Sequence, residues 1–138
     1  MKTKIYYFLI SIPLILPVTH AGEINNALFD QGKAVYDKVC AACHNYLPPP
    51  KAAPPLLGIS GHYHQAFTDP NEAIDYIIDY IKQPTAEKSM LPPMARQRWG
   101  LMAPLALPEE ELKAVAYWVW EIYNVECSKG LAAHWVCH

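Results

Sequence analysis

The stretch Cys40-Ala41-Ala42-Cys43-His44 decides how the rest of the chain is read. Two cysteines with two residues between them, followed at once by histidine, form a c-type haem attachment signature. The chemistry needs that layout. Each thiol adds to one vinyl group of the porphyrin, so the two must lie about one helical turn apart. The next residue is then delivered beneath the iron, where a neutral imidazole is the usual proximal ligand. Two other chemistries share this cysteine spacing. A thioredoxin-like dithiol belongs in a βαβ setting, and no such pattern surrounds these residues. Half a zinc site needs a second tightly spaced pair nearby, and the sequence has none.

The start of the chain reads as a secretory signal. Lys2 and Lys4 make a positive n-region, and Ile5 to Leu16 form an apolar run too short to span a bilayer comfortably. Thr19-His20-Ala21 offers small residues where signal peptidase reads, which predicts cleavage after Ala21 and a mature domain over 22–138. An uncleaved N-terminal anchor is the other reading, and Pro13 and Pro17 count against a stable membrane helix. No cysteine stands near the cleavage point, which argues against a lipoprotein. The expected location is therefore the periplasm or another exported compartment.

The mature part keeps nine Lys and Arg against thirteen Asp and Glu. That acidic balance offers no basic patch for nucleic acid. Four cysteines in an exported chain permit disulfides, and two belong to the haem signature. Cys127 and Cys137 remain, and they are expected to pair and close a short loop. A competing reading takes Cys137-His138 as a single-cysteine haem site, but His134 stands where the first cysteine belongs.

With these residues in view, the chain resembles a small monohaem class I cytochrome c over about Ala27 to Tyr123, with a tail over 124–138. The resemblance implies an all-α fold: three main helices joined by proline-rich loops around one covalently bound haem c. The bulk of the haem would supply much of the core that so short a chain lacks.

The residues themselves support helices in three places. From Asn26 to Cys43, Leu28, Val35 and Val39 recur at helical spacing, and Gly32, Tyr36 and Cys40 share one face. A glycine inside a helix costs about 1 kcal/mol against alanine, so close approach of another helix is the expected reason for Gly32. From Asp69, an N-cap followed by Pro70 and Glu72 introduces the stripe Ala73, Ile74, Ile77, Ile78 and Ile81, and Pro84 ends it. Its other face carries Glu72, Asp75, Asp79 and Lys82 toward water. The last helix begins near Pro108, with Glu109, Glu110 and Glu111 in the first turn and Leu112, Val115, Val119 and Ile122 inward. Ala114 and Tyr117 match the face that the family packs against the first helix's glycine.

Between these helices, Asn45 to Ser60 holds five prolines and is expected to be an extended loop along one haem edge. In the family a proline carbonyl here accepts the proximal histidine's other N–H. Ala53-Pro54-Pro55-Leu56 resembles that segment, with Pro54 preferred over Pro55. His62 and His64 read as loop histidines outside the site. Thr85 to Pro108 is expected to be irregular.

That last segment must supply the sixth iron ligand, and Met90, Met94 and Met102 compete. Met102-Ala103-Pro104-Leu105-Ala106-Leu107-Pro108-Glu109 has the length of the family's Met-Pro-Pro segment, although Ala103 replaces the first proline. Met90 precedes Leu91-Pro92-Pro93 and imitates the motif, but sixteen residues then separate it from Leu107. Met102 is the expected ligand, with His44 opposite, and Met90 is its main rival.

No Ser-His-Asp arrangement, phosphate loop or paired-carboxylate motif is recognisable. The expected function is one-electron transfer between a redox protein donor and acceptor, without catalysis. The protein would be soluble or loosely associated with a membrane redox complex. Service as the haem module or subunit of a larger oxidoreductase is the alternative.

Overall fold

The computed structural model describes residues 24–130 and 136–137; the signal segment with its cleavage site, and the His134 and His138 of the single-cysteine reading, lie outside them. Five α-helices follow in order: α1 (Asn26–Lys38), α2 (Leu56–Ala66), α3 (Pro70–Lys82), α4 (Pro93–Trp99) and α5 (Glu109–Ser128). A 3-10 turn, Cys40–Ala42, follows α1, and no strand occurs among the described residues. The all-α reading stands, but α2 and α4 are additions to the three helices expected.

Helix α5 organises the rest. Its buried residues Leu112, Ala114, Val115, Ala116, Trp118, Val119, Trp120 and Ile122 point in several directions, so α1, α2 and α3 all pack on it. A helix apolar on nearly every side is a core helix. Its closest neighbour is α1. A Cβ on Gly32 would run into the Ala114 carbonyl oxygen and stand 2.5 Å from Trp118 Cβ, so glycine alone permits the crossing. Trp118 thus stands with Ala114 at the glycine. Tyr117 lies beside it, its hydroxyl accepting from the Asn25 N–H at 2.9 Å. Asn25 in turn caps α1 by accepting from the Leu28 N–H.

Helix α1 stops at Lys38, short of the expected Cys43. Val39 leaves helical geometry, and the chain tightens into the 3-10 turn. Helix α2 begins where a loop was expected because its first amides are met from outside. The Leu56 N–H donates to Asn45 O and the Leu57 N–H to Tyr46 O. Pro55 holds the extended geometry of the N-cap. The segment after His44 therefore serves as the cap of α2, satisfying donors that a helix start otherwise leaves unpaired.

His62 and His64 thus lie on a helix. The His64 ring stacks 3.7 Å from Trp120 and 4.4 Å from Tyr123, and its Nε2–H donates to Trp120 O at 2.9 Å. Helix α3 matches expectation: Asp69 caps the Asn71 amide, and Ala73, Ile77 and Ile81 are buried. Two residues of its outer face make ion pairs, Lys82 with Glu109 at 3.4 Å and Asp79 with Lys88 at 2.7 Å. Exposed pairs of this kind contribute little to stability.

Helix α5 runs past Tyr123, where the core was expected to end, and its last turn carries Cys127. The structure sets Cys127 beside Cys137 with Cα atoms 5.7 Å apart, a separation that a disulfide spans without backbone movement. Val136, next to Cys137, is buried against Gly61 of α2.

Candidate functional site

The 3-10 turn brings the two cysteines together. Residues three apart eclipse in such a turn, so Cys40 and Cys43 present their thiols to the same side. Both the Cys43 and His44 amides donate to Cys40 O, at 3.1 and 2.9 Å. From the proline-rich loop, Ala53 N–H donates to Cys43 O at 3.0 Å and Lys51 Nζ to Ala41 O at 2.8 Å. The motif is therefore held on its outer side by the loop. Cys40 is half-buried and its thiol is pushed up to about 11 by burial, which keeps it protonated near neutral pH; Cys43 is exposed.

His44 is fixed at both ends. Its Nδ1 lies 2.7 Å from Pro54 O, and its own carbonyl accepts from the Tyr36 hydroxyl at 3.1 Å. A carbonyl can only accept, so Nδ1 carries the hydrogen and Nε2 keeps its lone pair. Nε2 has no hydrogen-bond partner among the described residues. Burial lowers the His44 pKa against the opposing pull of the Pro54 bond, which favours the neutral ring, the form that ligates a metal.

Two adjoining cavities of about 290 and 180 Å³ open beside this histidine. Cys43, His44, Tyr63, Tyr80 and Met102 border both. The smaller takes in Cys40 as well, and its walls include Leu56, Ile59, Ile77, Ile81, Leu105, Leu107, Val115 and Val119. Met90 borders the larger cavity only, with Trp99 and Leu101. Met94 is 83% exposed and borders neither. Of the three competing methionines, Met102 alone shares a cavity with both thiols and the imidazole.

An apolar slot with two thiols, an imidazole lone pair and a thioether at its edges suits a flat apolar macrocycle holding iron. The residues fit a haem. Sequence reasoning did not single out Ile59, Tyr63 or Tyr80 as walls. The spacing Leu56, Ile59, Tyr63 is helical and could have revealed α2, but the prolines before it and two glycines within it obscured the pattern. Trp99 and α4 were likewise missed.

The site thus defines a covalent-haem protein of all-α fold, with a histidine on one wall of a slot lined by helices and loops. The sequence matches the cytochrome c family over residues 29–122, and the chain belongs to that family. A protein of Aquifex aeolicus (strain VF5), described as an uncharacterized protein, is 34% identical over 135 residues, covering 84% of this chain and 87% of its own. No solved structure matches. Family membership makes this a haem-binding electron carrier, with covalently bound haem c and iron as its cofactor and redox proteins as its partners. Among the described residues no helix is long and apolar enough to cross a membrane.

Proposed function

We propose that this chain is an exported one-electron carrier, its haem bound through thioether bonds to Cys40 and Cys43, with His44 and Met102 as axial ligands. The observation that carries the reading is the meeting of both thiols, the imidazole and one thioether on a single apolar cavity. When bound, the haem supplies one iron that cycles between ferrous and ferric states, and a methionine–histidine pair raises its potential. The chain's own residues do the rest. The Pro54 carbonyl orients the His44 ring and increases its basicity. Ile59, Ile77, Val115 and Val119 exclude water, which limits the reorganisation that accompanies a change of charge. The exposed side at Cys43 is where a donor or acceptor protein comes near.

The leader over 1–21 would direct export and be removed. In that oxidising compartment Cys127 and Cys137 form a disulfide. A second reading, a haem c subunit of a larger oxidoreductase, is favoured by one observation. Leu47, Met94 and Leu101 are large apolar residues left exposed, and Leu101 borders the larger cavity. A standing partner would cover them.

Ligand assignment is tested by replacing each methionine in the haem-loaded protein. Met102→Ala should abolish the weak far-red absorption band of methionine-ligated ferric haem and let carbon monoxide bind the ferrous form. Met90→Ala should keep the band. The opposite pattern would make Met90 the ligand.

A further inference from the structure

The Tyr36 hydroxyl is the one side-chain group among the described residues that hydrogen-bonds the backbone of His44, at 3.1 Å. Its ring needs no hydroxyl to stay where it is. It is stacked on Trp118 with centroids 4.6 Å apart and planes 25° from parallel, and the residue is only 7% exposed. A phenylalanine would fill the same space. The hydroxyl is therefore placed by packing and spends its hydrogen bond on one residue. That bond anchors the start of the span from His44 to Tyr46. That span matters because Asn45 and Tyr46 are the residues whose carbonyls cap α2.

We propose that Tyr36 is a positioning residue for His44, resting on the reading of His44 as an iron ligand. Two anchors define the imidazole: Pro54 O fixes the ring through Nδ1, and Tyr36 fixes the main chain from which the ring hangs. With the main-chain anchor released, the segment from His44 to Tyr46 relaxes away from α1. The Nδ1–H···O bond to Pro54 then lengthens or bends. A weaker bond there makes the imidazole a poorer donor to iron, which disfavours the ferric state and raises the reduction potential. Helix α1 thereby acts on the iron through a hydroxyl, in addition to packing against α5.

The test compares two variants of the haem-loaded protein that each lose one phenol oxygen at the α1–α5 contact. Tyr36→Phe removes the bond to His44, whereas Tyr117→Phe removes the bond from Asn25 at the far end of α1. Reduction potential, the paramagnetically shifted proton resonances of the His44 ring in the ferric state, and thermal stability are measured for each. Tyr36→Phe should raise the potential and move the His44 resonances, while Tyr117→Phe lowers stability and moves neither. Equal potentials in wild type and Tyr36→Phe, or equal shifts in both variants, would overturn the proposal. Failure of Tyr36→Phe to mature with haem attached would assign the hydroxyl to folding and overturn it too. The underlying reading fails separately, if the wild-type protein shows no histidine ring resonances shifted by iron.

Discussion

Replacing Gly32 with alanine probes the contact on which the fold turns. In an exposed helix the change should stabilise by about 1 kcal/mol, since alanine is the better helix former. Here the added methyl meets the Ala114 carbonyl and stands 2.5 Å from Trp118 Cβ, where carbon atoms in good contact keep about 3.5–4.0 Å. Neither neighbour is the tip of a flexible side chain. Helices α1 and α5 must separate by about 1 Å, disturbing the Tyr36–Trp118 stack between them. Overpacking of this kind costs about 1–3 kcal/mol, and a backbone obstacle places it at the upper end. Set against the propensity gain, the net loss is about 2 kcal/mol, or about 8 °C in melting temperature for a domain of this size. Guanidinium unfolding of the ferric protein, followed by tryptophan fluorescence, reads the loss directly. A Gly32→Ala variant as stable as wild type would refute the close crossing.

Three further outcomes follow from other parts of the molecule. Converting both Cys127 and Cys137 to serine should lower stability by about 2–3 kcal/mol on the loop-entropy view, measured by denaturation with and without reductant, and reductant should not affect the variant. Burial works to raise the Glu126 pKa, but the Tyr46 hydroxyl and the Lys129 ammonium at 2.9 Å outweigh it, so it is lowered in the folded protein. A depressed carboxylate contributes stability above its unfolded pKa and loses it as pH falls through the folded value; Glu126→Gln should therefore flatten the acid limb of a stability–pH curve. Cutting the ring of His64 back to alanine should destabilise by breaking its stack on Trp120 and Tyr123, yet leave the visible spectrum unchanged, since it borders neither cavity.

Much of this was legible locally. The cysteine–histidine signature states its chemistry in five residues, and α3 announces itself through Asp69, Pro70 and an isoleucine stripe. Gly32 was readable as a crossing point because a glycine in an otherwise good helix requires a reason. What escaped depends on residues distant in sequence. Helix α2 starts at Leu56 because Asn45 and Tyr46 supply its first acceptors, a fact visible only after the chain has folded back. Trp118 at the Gly32 contact went unread because the rotation of α5 is set by α1, α2 and α3 together. Tyr63 and Tyr80 became cavity walls through the same tertiary placement. The helix over Pro93–Trp99 arises in a stretch whose prolines argue against any helix, yet Pro92 and Pro93 fall at its start, where proline is tolerated.

The most direct test of the whole reading is the intact mass of the mature protein under denaturing conditions, after expression in a host that attaches c-type haem. Wild type should carry the mass of one haem that acid and organic solvent do not remove, and Cys40→Ala with Cys43→Ala should carry none. A wild-type mass equal to the polypeptide alone, with the colour passing into the organic phase, would contradict it.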